Sequence, residues 1–188
     1  MLLLRDRLLE GRRIALSGGA DGRLGSQLHF LGADVAAIPA EAALDEDAAR
    51  TWVDAGLPLH ALIHDAEPAF RQRGLQPALE RAWIAARAVT TGALIPSGTG
   101  GKLILLCPRP DAGPHADAAR AALENLARTL SVEWARHSIT VVAIAPGSAT
   151  SAEELATFAC FVASRGGNYL SGCRLDMGVV PVSRPPDG

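Results

Sequence analysis

The stretch over residues 101–147, GKLILLCPRPDAGPHADAARAALENLARTLSVEWARHSITVVAIAPG, constrains the fold more than any other part of the chain. It opens on an apolar run over 102–107, which suits a strand buried on both faces. Pro108, Pro110, Gly113 and Pro114 then break the chain into a loop. Over 115–136 the residues Ala119, Ala122, Leu123, Leu126, Leu130 and Trp134 recur at spacings of three and four, one stripe of an amphipathic helix. A second apolar run over 139–145 ends at Pro146-Gly147. Two buried strands joined by a helix form a right-handed parallel crossover. The expected fold is therefore α/β, a Rossmann-like doubly wound parallel sheet.

The start of the chain agrees. A short apolar strand over 13–17 runs into SGGADGRLG and then into a segment with helical spacing. Strand, glycine-rich turn and helix form the opening of a dinucleotide-binding unit: glycines let backbone approach a pyrophosphate, and the helix start offers N–H groups. Gly18 and Gly22 have the required spacing; Leu24 stands at the third glycine position unless one residue is inserted, in which case Gly25 serves. Asp21 adds negative charge to that turn. The turn is either a structural corner or a vestigial cofactor-binding site made by Gly18, Gly22 and Gly25. A second strand over 34–38 ends in Pro39-Ala40, with neither the acidic residue that holds an NAD ribose nor an Arg for a 2′-phosphate. Glu41 could substitute only if the loop bends back. Residues 40–59 leave room for one helix, 46–54, begun by Asp45 as N-cap.

Farther on, 60–64 is expected as a strand. His64-Asp65 invites a base-and-orienter reading, but neighbours at a strand end point apart. His60 and His64 share a face without a third metal ligand. A second long helix is expected over 76–95, bracketed by Pro77 and Pro96. Thr150 reads as an N-cap with Glu153 completing a capping box, ahead of a helix over 151–163. With 188 residues, 48% hydrophobic and 20% charged, the chain suits one domain over 1–180 and a Pro-rich tail over 181–188. A net charge of −2 argues against nucleic acid or acidic lipid as partner. Cys107, Cys160 and Cys173 sit singly in apolar segments, as core residues of a cytoplasmic protein do. No run reaches membrane-spanning length.

ARAALENLARTLSVEWA followed by ITVVAIAPG resembles the active-site helix and next strand of the short-chain dehydrogenase/reductase (SDR) family. The family implies a Tyr and, four residues on, a Lys before an Ala-Ala-Leu step. Here Arg120 precedes Ala121-Ala122-Leu123, so Arg120 replaces the Lys and Ala116 the Tyr. The family's catalytic Ser would fall near Pro108, and its helix-borne Asn on Trp83. The single Tyr, Tyr169, lies in NYLSGCRLDMG, which resembles the family's closing motif, and the only Lys, Lys102, begins a strand. The substrate-binding segment that follows Pro-Gly in the family is absent, as is a helix after the second strand.

The resemblance, less these groups, implies a catalytically inactive subunit. No cofactor would be bound by this chain, NAD being held by an active SDR partner. Helices over 76–95 and 114–136 and a strand over 172–178 would join the two as a heterotetramer, similar to the heteromeric hydroxyacyl-CoA dehydrogenase of the benzylsuccinate pathway of anaerobic toluene degradation. Two alternatives stand beside it: a nucleotide-binding regulatory module, and an atypical NAD(P)-dependent reductase working through His115 and Arg120.

Overall fold

A computed structural model describes residues 4–19, 22–54 and 58–178. Its centre is a six-stranded sheet, in the order β2-β1-β3-β4-β5-β6. The strands are β1 (Arg13–Ser17), β2 (Asp34–Ala37), β3 (Ala61–Asp65), β4 (Gly101–Leu106), β5 (Ile139–Ala145) and β6 (Cys173–Asp176), and every pairing is parallel. Alternate residues of each strand feed different layers. Ala15, Leu62, Leu103 and Val141 face one core, with α4 (Leu75–Val89) and α6 (Ala116–Glu133) over it. Ile14, Ile63, Ile104 and Ile144 face the other, under α1 (Gly22–Phe30) and α7 (Ala152–Ala163). Burial on both faces explains why these strands read as continuous apolar runs.

The chain goes from β1 to β2 on one side and crosses to β3 on the other. The switch point thus lies between the carboxyl ends of β1 and β3, where open α/β sheets receive ligands. The segment between β2 and β3 carries a 3-10 turn (Ala42–Leu44) and α2 (Glu46–Asp54), capped by Asp45 Oδ1 accepting from the Ala48 N–H at 2.9 Å. A parallel sheet with helices on both faces and a shortened segment after β2 is the truncated Rossmann-like architecture expected from the sequence.

Several details differ. The helix expected to stop before Pro96 continues: a π-helical turn (Thr90–Leu94) follows α4 and leads into α5 (Ile95–Ser97). The Ile95 N–H donates to Thr90 O, five residues back, and this register shift absorbs the proline. A short helix, α3 (Glu67–Arg73), occupies what reads as a loop. The cap of α7 is Ser151 with Glu154, not Thr150 with Glu153; Thr150 Oγ1 instead accepts from the Gly147 N–H at 2.9 Å. The strands expected at 102–107, 60–64 and 34–38 each shift or shorten by one residue. Asp21 and the tail over 181–188 lie outside the described residues. No described helix is long and apolar enough to cross a membrane.

Candidate functional site

At the end of β1 the backbone turns through Gly18, whose φ is +84°. A Cβ there would lie 1.9 Å from Asp65 O at the end of β3, so only glycine lets the two loops meet. The turn delivers the chain to α1, whose first turn carries no acidic residue. Beneath it, Ser17 and His64 are both buried, with Ser17 Oγ 3.1 Å from His64 Nδ1. The other ring nitrogen, Nε2, has no partner. Burial, and then the charge of Arg81, push the pKa of His64 down to about 4, so the ring is neutral near pH 7.

Above this pair lies a cavity of about 650 Å³, walled by Gly18, Gly25, His64, Gln72 and Arg81 among others. Its wall also takes in Ala37, Ile38 and Ala40 from the end of β2, and it contains no carboxylate among the described residues. Arg81 projects from α4, and its Nε is buried without a partner. The family resemblance implies NAD(P), and the residues here fit a nucleotide: Gly18 admits no side chain, a helix begins over the turn, and Arg81 on the wall has a buried nitrogen without a partner.

The β4 and β5 ends are organised differently. Arg120 is buried and donates from Nη1 to Pro108 O at 2.9 Å and to Pro146 O at 2.8 Å. Its Nη2 lies 3.8 Å from Asp176 Oδ2. It clamps the two loops rather than presenting a titratable group. Arg109 makes a second clamp. Its backbone N–H and its Nη1 donate to Glu67 Oε2 at 2.9 and 3.3 Å, while its Nη2 donates to Thr150 O at 3.0 Å. Burial works against the charge of Glu67, but the Arg109 N–H, the Arg71 hydrogen bond and both guanidiniums hold its carboxyl below the usual range. Burial pushes the Cys107 thiol up to about 12, so it is not a nucleophile at neutral pH. A larger cavity, about 1190 Å³, opens beyond Arg120 toward Thr150, Phe158, Asp176 and Met177.

Of the family positions, the structure brings Pro108 and Arg120 together through their hydrogen bond. Ala116 is packed with Ala69, Phe70 and Ala78 one turn earlier on α6. Trp83 is partly exposed on α4, with the Arg87 guanidinium 6.0 Å from its ring centre. His115 has a left-handed backbone, φ +68°, just before α6. Tyr169 is exposed and Lys102 starts β4 at the opposite end of the strand, so neither joins the site. Sequence reasoning missed Arg81 and Arg109. Arg81 falls on the same helical stripe as the buried Ala78, Ala82 and Ala85, and a charge on an inward stripe was the available signal. Glu67 stands where the family's turn has glycine.

No family model matches the sequence, and no curated protein matches it. Solved structures do. A citronellol catabolism dehydrogenase of Pseudomonas aeruginosa matches with a TM-score of 0.72 and 23% identity, over 93% of this chain and 97% of that one. A putative NAD(P)-dependent gluconate 5-dehydrogenase of Beutenbergia cavernae, with NADP bound at low occupancy, gives 0.71 and 19% over 93% and 98%. A hydroxysteroid dehydrogenase of Escherichia coli gives 0.69 and 16% over 92% and 98%. The chain has the SDR fold. The sequence-based expectation of a protein that is not itself an enzyme is corrected here. Structural neighbours that include dehydrogenases share its fold, and nothing in the geometry demonstrates inactivity.

Proposed function

We propose that this chain is a nucleotide-binding subunit of an NAD(P)-dependent oxidoreductase, working alongside a second SDR-fold chain. The observation that carries the reading is the cavity over the glycine turn, lined by His64 and Arg81, each with a buried nitrogen that lacks a partner. Gly18, Gly22 and Gly25 would receive the nucleotide, which supplies a hydride acceptor or donor when bound. The SDR phenol has no equivalent on α6, so proton transfer falls to a different group. Such a group lies either on this chain at the Arg120 cavity or on the partner.

Three features support the partner. Trp83 on α4 and Val132 on α6 expose apolar surface on the two helices over 76–95 and 114–136. Among the described residues β6 forms a sheet edge, where a neighbour could meet its outer backbone groups. SDR relatives pair through these same elements, as the family resemblance implies. The test is co-expression with an SDR-fold dehydrogenase from a neighbouring gene. The expected result is a mixed oligomer by light scattering and nucleotide binding by the isolated chain in calorimetry. A chain that stays alone and binds neither NAD(H) nor NADP(H) overturns the reading.

A further inference from the structure

We propose that the glycine-turn cavity selects a nucleotide carrying a ribose phosphate, NADP(H) rather than NAD(H), and that Arg81 is its specificity-determining residue with His64 assisting. The inference rests on the nucleotide-binding reading above and adds to it which nucleotide is taken, and by what.

A ribose diol is held by a carboxylate at the end of the second strand. Here β2 ends in Ala37, followed by Ile38, Pro39 and Ala40, and no carboxylate lies on the described cavity wall. The one wall residue with a fixed charge is Arg81. It takes part in no ion pair among the described residues, and its Nε is buried without an acceptor. Both its partial burial and the neighbouring Arg73 oppose its charge. An uncompensated guanidinium of this kind is costly unless an anion completes it.

His64 supplies an independent observation. His64 lines the cavity, its side chain is fully buried, Nδ1 is engaged with Ser17 Oγ, and Nε2 has no partner. With Nδ1 accepting from the Ser17 hydroxyl, Nε2 carries the proton and donates. On one wall, the neutral His64 donor and the Arg81 guanidinium form a set of phosphate donors. A ribose hydroxyl would leave the Arg81 charge uncompensated; a phosphate would not. The selecting cation comes from α4, not from the end of β2.

The test is calorimetric titration of the full-length chain with NADPH and NADH, and competition by 2′,5′-ADP against 5′-AMP. NADPH and 2′,5′-ADP should bind at least about tenfold more tightly than their unphosphorylated counterparts, the difference one charged hydrogen bond makes. Arg81→Gln should erase that preference, weakening NADPH binding at least about tenfold more than NADH binding, and Arg81→Lys should keep part of it. Circular dichroism would confirm that both variants fold. Equal affinity for NADPH and NADH, or a variant that weakens both alike, sinks the inference and leaves the nucleotide-binding reading standing. Binding of neither nucleotide sinks both.

Discussion

Arg120 is the most informative residue to remove, because its position invites a catalytic role and its geometry describes a brace. Its Nη1 spans Pro108 O and Pro146 O at 2.9 and 2.8 Å, tying together the loops that leave β4 and β5. Both prolines are buried, so Arg120→Ala leaves two carbonyls short of a donor and a void where the side chain lay. Each charged hydrogen bond contributes about 1.5–3 kcal/mol net, and the buried charge it accompanies costs part of that back. A loss of about 3 kcal/mol follows, which in a domain of this size lowers the melting temperature by about 9 °C. Arg128→Ala is the control, since Arg128 makes an exposed pair with Glu124 and should cost under about 0.5 kcal/mol. Arg120→Lys should recover only part of the loss, because a single ammonium does not reproduce the fork. Urea denaturation and thermal scanning read all three. An Arg120→Ala chain within about 1 kcal/mol of the parent would refute the brace.

Gly18→Ala should be severely destabilising, by about 4 kcal/mol or more, because φ is +84° and the new Cβ meets Asp65 O at 1.9 Å. Gly22→Ala, at φ +54° with nothing within 4 Å, should cost only about 1 kcal/mol; equal losses in urea would contradict the close approach of the two loops. His64 titrates near 6.5 unfolded and at about 4 folded. The unfolded chain therefore takes up its proton first, and stability present above pH 6.5 is lost as the pH falls toward 4, by roughly 3 kcal/mol. His64→Asn should flatten urea midpoints across that window, and an unchanged slope would argue against a buried neutral ring. Lys102 has its pKa lowered to about 8 by burial first and Arg12 second, and its Nζ is unpartnered. Discounted for its partial exposure, that penalty makes Lys102→Met stabilising by about 1 kcal/mol at pH 7 in thermal scans.

The strands were legible because burial on both faces leaves a continuous apolar signature; β1 and β5 match their expected spans residue for residue. The helix α2 was legible because Asp45, Glu46 and Asp47 mark its start. By contrast α3 is short, with Pro68 as its second residue and Gly74 just past its end, which read as loop punctuation. The cap of α7 slipped by one because Thr150 and Ser151 both have a Glu three residues on. The difference is that Thr150 Oγ1 already serves the Gly147 N–H, a bond visible only in three dimensions. The glycine turn was legible as a motif, but its depth was not: the approach of Gly18 to Asp65 joins positions far apart in the chain. The pairing of Glu67 with Arg109, 42 residues on, has no periodic trace at all.

The three arginines at the carboxyl edge differ in what they have left to give a ligand. Arg120 has two carbonyl acceptors, and Arg109 has Glu67 and the Thr150 carbonyl. A ligand reaching either one must displace partners already in place, so the net gain is small. Among the described residues, Arg81 has no acceptor for Nε and no carboxylate paired with it. The same contact made there relieves an existing penalty instead of exchanging one bond for another. The edge is thus rigid where β3, β4 and β5 end and unsatisfied where β1 meets β3, so an anion gains most at the second place, over the glycine turn.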